Sequence, residues 1–379
     1  MTPKPPHRIV RRLHRGEPRL IQLTAIADEP VTGPEAVRGL FDALATALRQ
    51  DDASVFAEKA YGEAGVAREI RRARDAAWAH AGLPSDTPLT VVGNRPCVGG
   101  DIGGVQVLAV AQSSPGTLRT LMADGRPVGR ELELDGERLV LLTDLNGGRP
   151  DGGPAEQLDG MFDLARARLT DLALSFHDVA RTWIHIDSLL PWYDELNRVR
   201  TAFFERVGLV GGADGPQLPA STGIQGTHPD GHGGLLELLA VTRSDDRPPF
   251  EPMRTSHQCG AFDYGSAFSR GMVVPVGDAE LLLASGTASI DAAGNTVHVG
   301  DSAGQVRETY AAVEALWRAL DRDWSAVVTG VLFFKDPETW AAWQRLRGEG
   351  EVPDIPGIPV YGDVCRDDLL FELEATAFD

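Results

Sequence analysis

The sequence contains few cysteines, and none of them lies close to another. Cys97, Cys259 and Cys365 are the three among 379 residues. Cysteines so far apart do not form the disulfide framework of a small secreted protein, and they lack the CxxC spacing of a zinc site. The segment HPDGH at 228–232 has further side chains that bind metals, but a glycine-rich segment of this kind is more typical of a solvated turn. We therefore expect no metal and no cofactor.

Long apolar runs are also missing. No run approaches the roughly 18 residues that a membrane-spanning helix needs. The N-terminus, MTPKPPHRIVRRLHRG, is basic but lacks the apolar core of a secretory signal. The sequence has no GxSxG motif, so a serine hydrolase of that kind has no support. We expect a cytoplasmic protein without a membrane partner, acting as a monomer or a small oligomer.

Positive charge is scarce as well. The chain has 36 lysines and arginines against 55 aspartates and glutamates, which gives a net charge of -19. Without a basic stripe, such an acidic chain is not expected to bind nucleic acid. An anionic substrate would need a local basic pocket inside an acidic body. The length and an apolar fraction of 42% suffice for two ordinary domains with full cores.

A pattern of apolar residues occurs twice in the chain. Steps of three and four predict one buried helix face through Val306, Tyr310, Val313, Trp317 and Leu320. The same spacing lies 148 residues earlier, and the predicted strand 179–186 matches 327–334 at the same shift. The closing strands resemble each other too, and their alignment pairs Glu237 with Glu372. A shared period over helix and strand indicates a duplicated unit.

The repeat sets the predicted organisation. Residues 1–90 read as a preamble, 91–245 as a first unit and 246–379 as a second unit. Each unit gives strands, a long helix, a strand, a helix and a last strand, which is typical of an α+β layer with helices on one sheet face. Two such units side by side would leave a crevice between them, and a crevice of this kind commonly holds a small ligand.

The last predicted strand carries a candidate acid. By strand alternation Glu372 shares a face with Leu370 and Glu374, while Phe371 and Leu373 share the other face. If Glu372 faces solvent, it is an ordinary surface carboxylate. If it faces a crevice, desolvation raises its pKa and makes it a proton donor at neutral pH. The residues alone leave both readings open.

Several stretches together carry a resemblance to a known family. They are ARTWIHIDSLLPWYDELNRVRTAFF at 180–204, LPASTGIQG at 218–226, DYGSAFSRG at 263–271, ASGTASID at 284–291 and VCRDDLLFELEA at 364–375. The repeated unit is similar to the YjgF/RidA fold, a sheet with two helices on one face. The chain from about residue 93 onward resembles the chorismatase family, which joins two such units.

This resemblance implies an enzyme that cleaves chorismate and releases pyruvate. It places the general acid on Glu372, in the last strand. Cys365, seven residues earlier, and Gly286, in the SGTAS stretch, match the members that form 3-hydroxybenzoate. Members with alanine at those places form a dihydroxycyclohexadiene carboxylate, and that product is the first alternative.

The expected substrate is a small molecule with two carboxylates. The candidate binding residues are Tyr264, Arg270, Arg200 and Arg366. Arginine suits this role because its guanidinium group pairs bidentately with a carboxylate. The second alternative is an enamine or imine deaminase of the YjgF kind. Arg366 lies too close to Glu372 to match the arginine of those enzymes, which weakens that reading. The third alternative is a metabolite-binding module without catalysis.

Overall fold

The computed structural model describes residues 5–14, 16–134, 136–211, 217–245, 248–255, 257–258 and 260–379, apart from the side chains of residues 263 and 264. Within these residues the chain forms three sheets and six α-helices. Each sheet carries two helices, so the predicted α+β fold of repeated sheet-and-helix units is confirmed.

The first sheet is built from the N-terminal part of the chain. Its elements are β1 (His7–Leu13), β2 (Leu20–Ala27), α1 (Pro34–Gln50), β3 (Ala53–Gly62), α2 (Ala67–Ala81), β4 (Thr90–Gly93) and β5 (Ile102–Ala111). The strand order is β1-β2-β5-β3-β4. The predicted preamble at 1–90 is therefore corrected, because its described residues form most of an additional unit at the N-terminus. The predicted boundary at residue 91 falls inside β4. This unit has one strand fewer than the others, so its apolar pattern does not share their 148-residue register.

The second and third sheets follow one plan. The second unit contains β6 (Thr117–Ala123), β7 (Arg126–Leu134), β8 (Glu137–Leu145), α3 (Pro154–Asp171), β9 (Val179–Ile186), α4 (Leu189–Arg206), β10 (Ala220–Gln225) and β11 (Gly234–Arg243). The third contains β12 (Glu251–Pro252), β13 (Gly271–Val276), β14 (Ala279–Ala288), α5 (Ser302–Arg318), β15 (Val327–Phe334), α6 (Pro337–Glu349), β16 (Gly357–Tyr361) and β17 (Phe371–Phe378). The orders β10-β9-β11-β8-β7-β6 and β12-β13-β14-β17-β15-β16 are the same when one is read backwards.

The helices of the third unit show how local sequence sets these elements. The carboxylate of Asp301 accepts the backbone N–H of Gly304 at 2.9 Å and starts α5. The predicted stripe is buried from Val306 to Trp317 and packs on the sheet. Leu320 follows the end of α5 and is partly buried against the same core. None of the helices in the described ranges is long and apolar enough to cross a membrane.

The three sheets pack against one another with the faces that the helices leave open. One apolar cluster at the centre draws on all three, including Phe56, Leu239 and Leu283. A second cluster holds Tyr61, whose ring centroid lies 6.4 Å from the ring centroid of His185 and 6.4 Å from that of Phe333. Because each sheet is covered on both faces, polar side chains at a sheet junction are shielded from water.

Candidate active site

A cavity lies where α4 and β10 of the second unit meet β14 and β17 of the third. The empty space within it, including the part open to solvent, is about 410 Å³. Its lining contains five residues predicted for the site, namely Glu372, Cys365, Arg270, Arg200 and Gly286. The other lining residues are Tyr193, Ser221, Gly223, Phe268, Ala288 and Ile290. The cavity thus lies between two repeated units, where a ligand crevice was expected.

Glu372 reaches the cavity because side chains alternate along β17. Phe371 and Leu373 pack into the core beneath α5 and α6, so Glu372 between them points to the opposite face. That face meets the second unit, and Glu372 is only 4% exposed. The sequence left open whether Glu372 faces solvent or a crevice, and in the structure its carboxyl faces the crevice.

A β-bulge in the neighbouring strand β14 brings the backbone close to this carboxyl. Ala284 pairs with Ala375 and Thr287 pairs with Leu373, so two residues of β14 lie opposite one residue of β17. Gly286 is one of the two. A Cβ atom added there would clash with Glu372 Oε1 and would lie 3.0 Å from Cδ of the same side chain. The absence of a side chain at Gly286 therefore makes room for the Glu372 carboxyl.

The surroundings of Glu372 favour its acid form. Burial, and after it the charge of Glu374, raises the pKa of the Glu372 carboxyl to about 8. The charges of Arg181 and Arg270 act in the opposite direction and lower this pKa. Most of the Glu372 side chains are then protonated at pH 7. A protonated carboxyl in a closed cavity can donate its proton to a bound molecule as a general acid.

Two arginines supply positive charge to the same cavity. Arg200 comes from α4 and Arg270 precedes β13, and both are buried. Their guanidinium carbons lie 5.6 and 5.7 Å from the ring centroid of Phe268. Arg200 Nη2 also donates to Asn197 Oδ1 at 2.7 Å. Two guanidinium groups beside one aromatic ring form the local basic pocket that a dianionic ligand requires in an acidic protein.

Cys365 lies in the loop between β16 and β17. The backbone N–H of Leu369 donates to the carbonyl of Arg366 at 3.2 Å, which closes a turn through residues 367 and 368. This turn brings Cys365 back to the cavity beside Glu372. Burial raises the pKa of the Cys365 thiol to about 12, with a further contribution from Glu372. At neutral pH Cys365 is therefore a thiol, and the thiolate is strongly disfavoured.

One predicted binding residue, Arg366, lies outside the lining of this cavity. Arg366 Nη1 donates to the carbonyl oxygen of Gly294 at 2.8 Å, on the loop after β14, and Arg366 is not part of the lining. The turn that brings Cys365 inward carries the next side chain towards that loop. Tyr264 ends a short 3-10 helix, and its side chain lies outside the described residues.

Sequence reasoning missed several lining residues. Tyr193 and Ser221 come from the second unit, and Phe268 lies between the two arginines. All three lie within the stretches that carry the family resemblance, so that resemblance held the available signal. Apolar spacing alone could not have found them, because they face a junction between two units.

The alignment of Glu237 with Glu372 is wrong. In the sheets, Glu237 pairs with Trp183 and Glu374 pairs with Val331. Trp183 and Val331 are 148 residues apart, so Glu237 corresponds to Glu374. The sequence alignment placed the last strand two residues out of register. A shift of two residues keeps every side chain on the same face of the sheet, so the apolar pattern could not reveal the error.

Glu237 lies in a second cavity at the centre of the molecule. Its empty space, including the part open to solvent, is about 810 Å³, and it is lined by residues of all three sheets, among them Glu237, Lys59 and Trp183. Lys59 Nζ is 2.5 Å from Glu237 Oε2 and 4.4 Å from the ring centroid of Trp183. Neither Glu372 nor Cys365 is part of this lining. The cavity that contains the candidate acid is therefore the smaller of the two.

Comparison with solved structures identifies the fold. A crystal structure of a chorismatase aligns with a TM-score of 0.61 and 16% sequence identity, over 96% of this chain and 100% of that one. Escherichia coli TdcF with bound serine aligns over 34% of this chain and 98% of its own, with 20% identity and a TM-score of 0.28. The YjgF gene product of E. coli aligns over 34% of this chain and 97% of its own, with 22% identity and a TM-score of 0.27. Neither a protein-family model nor a curated protein matches the chain. The chain shares the fold of the chorismatase over nearly its whole length.

Proposed function

We propose that this protein is a chorismatase that converts chorismate to pyruvate and 3-hydroxybenzoate. The observation that carries the proposal is a buried carboxyl, Glu372, in one cavity with two buried arginines, where burial raises its pKa and favours the acid form. Chorismate has two carboxylates and an enol ether whose cleavage begins with a proton. The shared fold and the resemblance of the sequence stretches support the same conclusion.

The first step is transfer of the Glu372 proton to the methylene carbon of the enolpyruvyl group. This converts the enol ether to an oxocarbenium ion. Water adds to that ion and returns a proton to the Glu372 carboxylate, and the hemiketal so formed breaks its C–O bond to the ring, giving pyruvate and a ring hydroxyl group. Arg270 and Arg200 hold the two carboxylates, which fixes the enol ether beside the acid. Arg270 also lowers the pKa of Glu372, so it stabilises the carboxylate that remains after the proton has left.

The product is assigned from two residues beside the acid. Cys365 and Gly286 both line the cavity, and they match the branch of the family that forms 3-hydroxybenzoate. Together, 3-hydroxybenzoate and pyruvate contain the atoms of chorismate, whereas the dihydrodiol and pyruvate contain one water more. Aromatisation therefore requires that the ring lose an oxygen as water. A neutral thiol at Cys365 is positioned at the site to direct that loss.

The test is incubation of the full chain with chorismate, with the products separated by chromatography and identified by mass. We expect pyruvate and 3-hydroxybenzoate in equal amounts. Glu372→Gln should lower the rate by roughly 100- to 10,000-fold, because glutamine keeps the shape but cannot act as the acid. Glu237→Gln is the matched control, since Glu237 lies outside this cavity, and it should retain turnover.

Other outcomes would identify the alternatives. Wild-type turnover by Glu372→Gln would remove the acid from the mechanism. The dihydrodiol in place of 3-hydroxybenzoate would assign the protein to the other branch. Ammonia released from 2-aminoacrylate, with chorismate untouched, would indicate a deaminase. Heat of chorismate binding without any product would indicate a binding module.

A further inference from the structure

Glu374 lies on the same strand face as Glu372, two residues further along β17. In a strand the two Cα atoms are then about 7 Å apart. Glu374 is buried, and its Oε2 accepts a hydrogen bond from Thr222 Oγ1 at 2.5 Å. The same oxygen forms an ion pair with Arg181 Nη2 at 3.2 Å. Glu374 therefore brings a fixed negative charge close to the proposed acid.

Both partners of Glu374 belong to the second unit and also bind the β-bulge of β14. Thr222 Oγ1 accepts the backbone N–H of Gly286 at 3.0 Å. Arg181 Nη1 donates to Ser285 Oγ at 3.3 Å, and Arg181 is only 2% exposed. One buried network thus holds Glu374 in place together with the segment that contacts the Glu372 carboxyl.

We propose that Glu374 is a positioning residue of this site, whose fixed charge keeps a proton on Glu372 until the substrate takes it. The proposal rests on the proposed function, because it gives the reason for having two carboxyl groups on one strand face. The charge of Glu374 disfavours ionisation of Glu372. The hydrogen bond from Thr222 and the ion pair with Arg181 fix Glu374 on the strand face that it shares with Glu372.

The other groups that face Glu372 do not replace Glu374 in this role. Arg181 from β9 and Arg270 from the segment before β13 both favour the carboxylate form of Glu372. Arg200 from α4 adds another positive charge to the lining. Cys365 from the loop before β17 is a neutral thiol, and Tyr193 from α4 is the remaining titratable group of the lining. Among these groups Glu374 is the negative charge.

The first and second units contain a natural control for this arrangement. Thr90 Oγ1 donates to Glu237 Oε1 at 2.5 Å, just as Thr222 donates to Glu374. By strand register, Glu237 corresponds to Glu374. Two residues before Glu237 the chain has Leu235, so no acid occupies the position that Glu372 has relative to Glu374. A Thr–Glu hydrogen bond therefore joins neighbouring units at both junctions, but at only one of these two does it lie beside a second carboxyl.

The experiment compares Glu374→Gln with Glu237→Gln in the full chain. The carboxylic C=O stretch of Glu372 is followed by infrared difference spectroscopy over a pH series and assigned by its loss in Glu372→Gln. Both variants remove the charge from a buried Thr–Glu pair between units, and the glutamine oxygen can still accept the threonine hydroxyl. We expect Glu374→Gln to lower the titration midpoint of Glu372 by roughly one pH unit, and Glu237→Gln to leave it unchanged. Glu374→Asp, which keeps the charge, should restore most of the shift.

An unchanged midpoint in Glu374→Gln would overturn the proposal and leave Glu374 as a structural link between units. If Glu374→Gln does not fold, Thr222→Val provides the test. It removes the hydroxyl that donates to the Glu374 carboxylate and should lower the midpoint by a smaller amount, and an unchanged midpoint there would also overturn the proposal.

Activity gives a second readout for the same variants. The high-pH limb of the kcat/KM profile for chorismate should move to lower pH in step with the infrared midpoint. The infrared titration needs no substrate. A wild-type protein that leaves chorismate untouched would therefore refute the proposed function, while the midpoints would still decide the role of Glu374.

Discussion

Replacing Glu372 by glutamine should make the protein more stable, by an amount that grows with pH. The pKa of Glu372 is about 8 in the fold, against an ordinary value of 4.5. Between these two pH values the unfolded chain releases the proton and the folded chain keeps it. The folded state then binds more protons than the unfolded state, so the free energy of unfolding of the wild type falls as the pH rises.

The structure sets the size of this effect. At about 1.36 kcal/mol per pKa unit, a rise from 4.5 to about 8 lowers the stability by about 3 kcal/mol at pH 7, by roughly 4 kcal/mol at pH 8 and by roughly 5 kcal/mol well above pH 8. Glu372 is 4% exposed, so water does little to reduce it. Glutamine has the same shape and does not titrate, so the variant avoids this loss. We expect a gain near zero at about pH 4 that increases steadily up to about pH 8.

The assay is chemical denaturation of wild type and Glu372→Gln over this pH range. The difference between the two curves cancels the titration of the other groups. Glu237→Gln is the control, because it removes one member of a buried ion pair with Lys59 and should destabilise the protein instead. A gain for Glu372→Gln that is the same at every pH would refute the reasoning, since a pH-independent gain cannot come from the proton on Glu372.

Two further predictions concern the residues beside the acid. Gly286→Ala should still release pyruvate but shift the product towards the dihydrodiol, because a Cβ atom would displace the Glu372 carboxyl and the resemblance pairs alanine at this place with that product; chromatography checks this, and unchanged 3-hydroxybenzoate would contradict it. Cys365→Ala should still release pyruvate but shift the product towards the dihydrodiol, as seen by chromatography. Unchanged 3-hydroxybenzoate from Cys365→Ala would remove the thiol from the mechanism.

Local patterns predicted the parts of the site that depend on one segment of chain. The stripe from Val306 to Trp317 predicted the buried face of α5, because helix periodicity depends on neighbouring residues alone. Alternation in the last strand put Glu372 and Glu374 on one face, which is how they lie. Whether that face met water or protein could not be predicted, since the covering residues, such as Thr222, come from another unit.

The errors came from long-range structure. The equivalence of Glu237 depended on strand register, and a shift of two residues changes no side-chain face. The N-terminal unit was not predicted as a unit, because its helices are separated from those of the next unit by fewer than 148 residues. The side chain of Arg366, a predicted binding residue, is directed by the turn after Cys365 to the loop after β14. Each of these features depends on pairing or on a turn that the apolar pattern does not encode.

The three sheet junctions differ in a way that explains why one of them holds the candidate site. Two junctions keep a buried Thr–Glu hydrogen bond, from Thr90 to Glu237 and from Thr222 to Glu374. At the junction of the third and first sheets, a neutral side chain is used instead: Gln106 Nε2 donates to Thr329 Oγ1 at 2.9 Å. A hydrogen bond between units is thus a structural feature of each junction. Adding Glu372 beside one of them, where Gly286 leaves room, converts a structural carboxylate into the group that keeps a neighbouring carboxyl protonated.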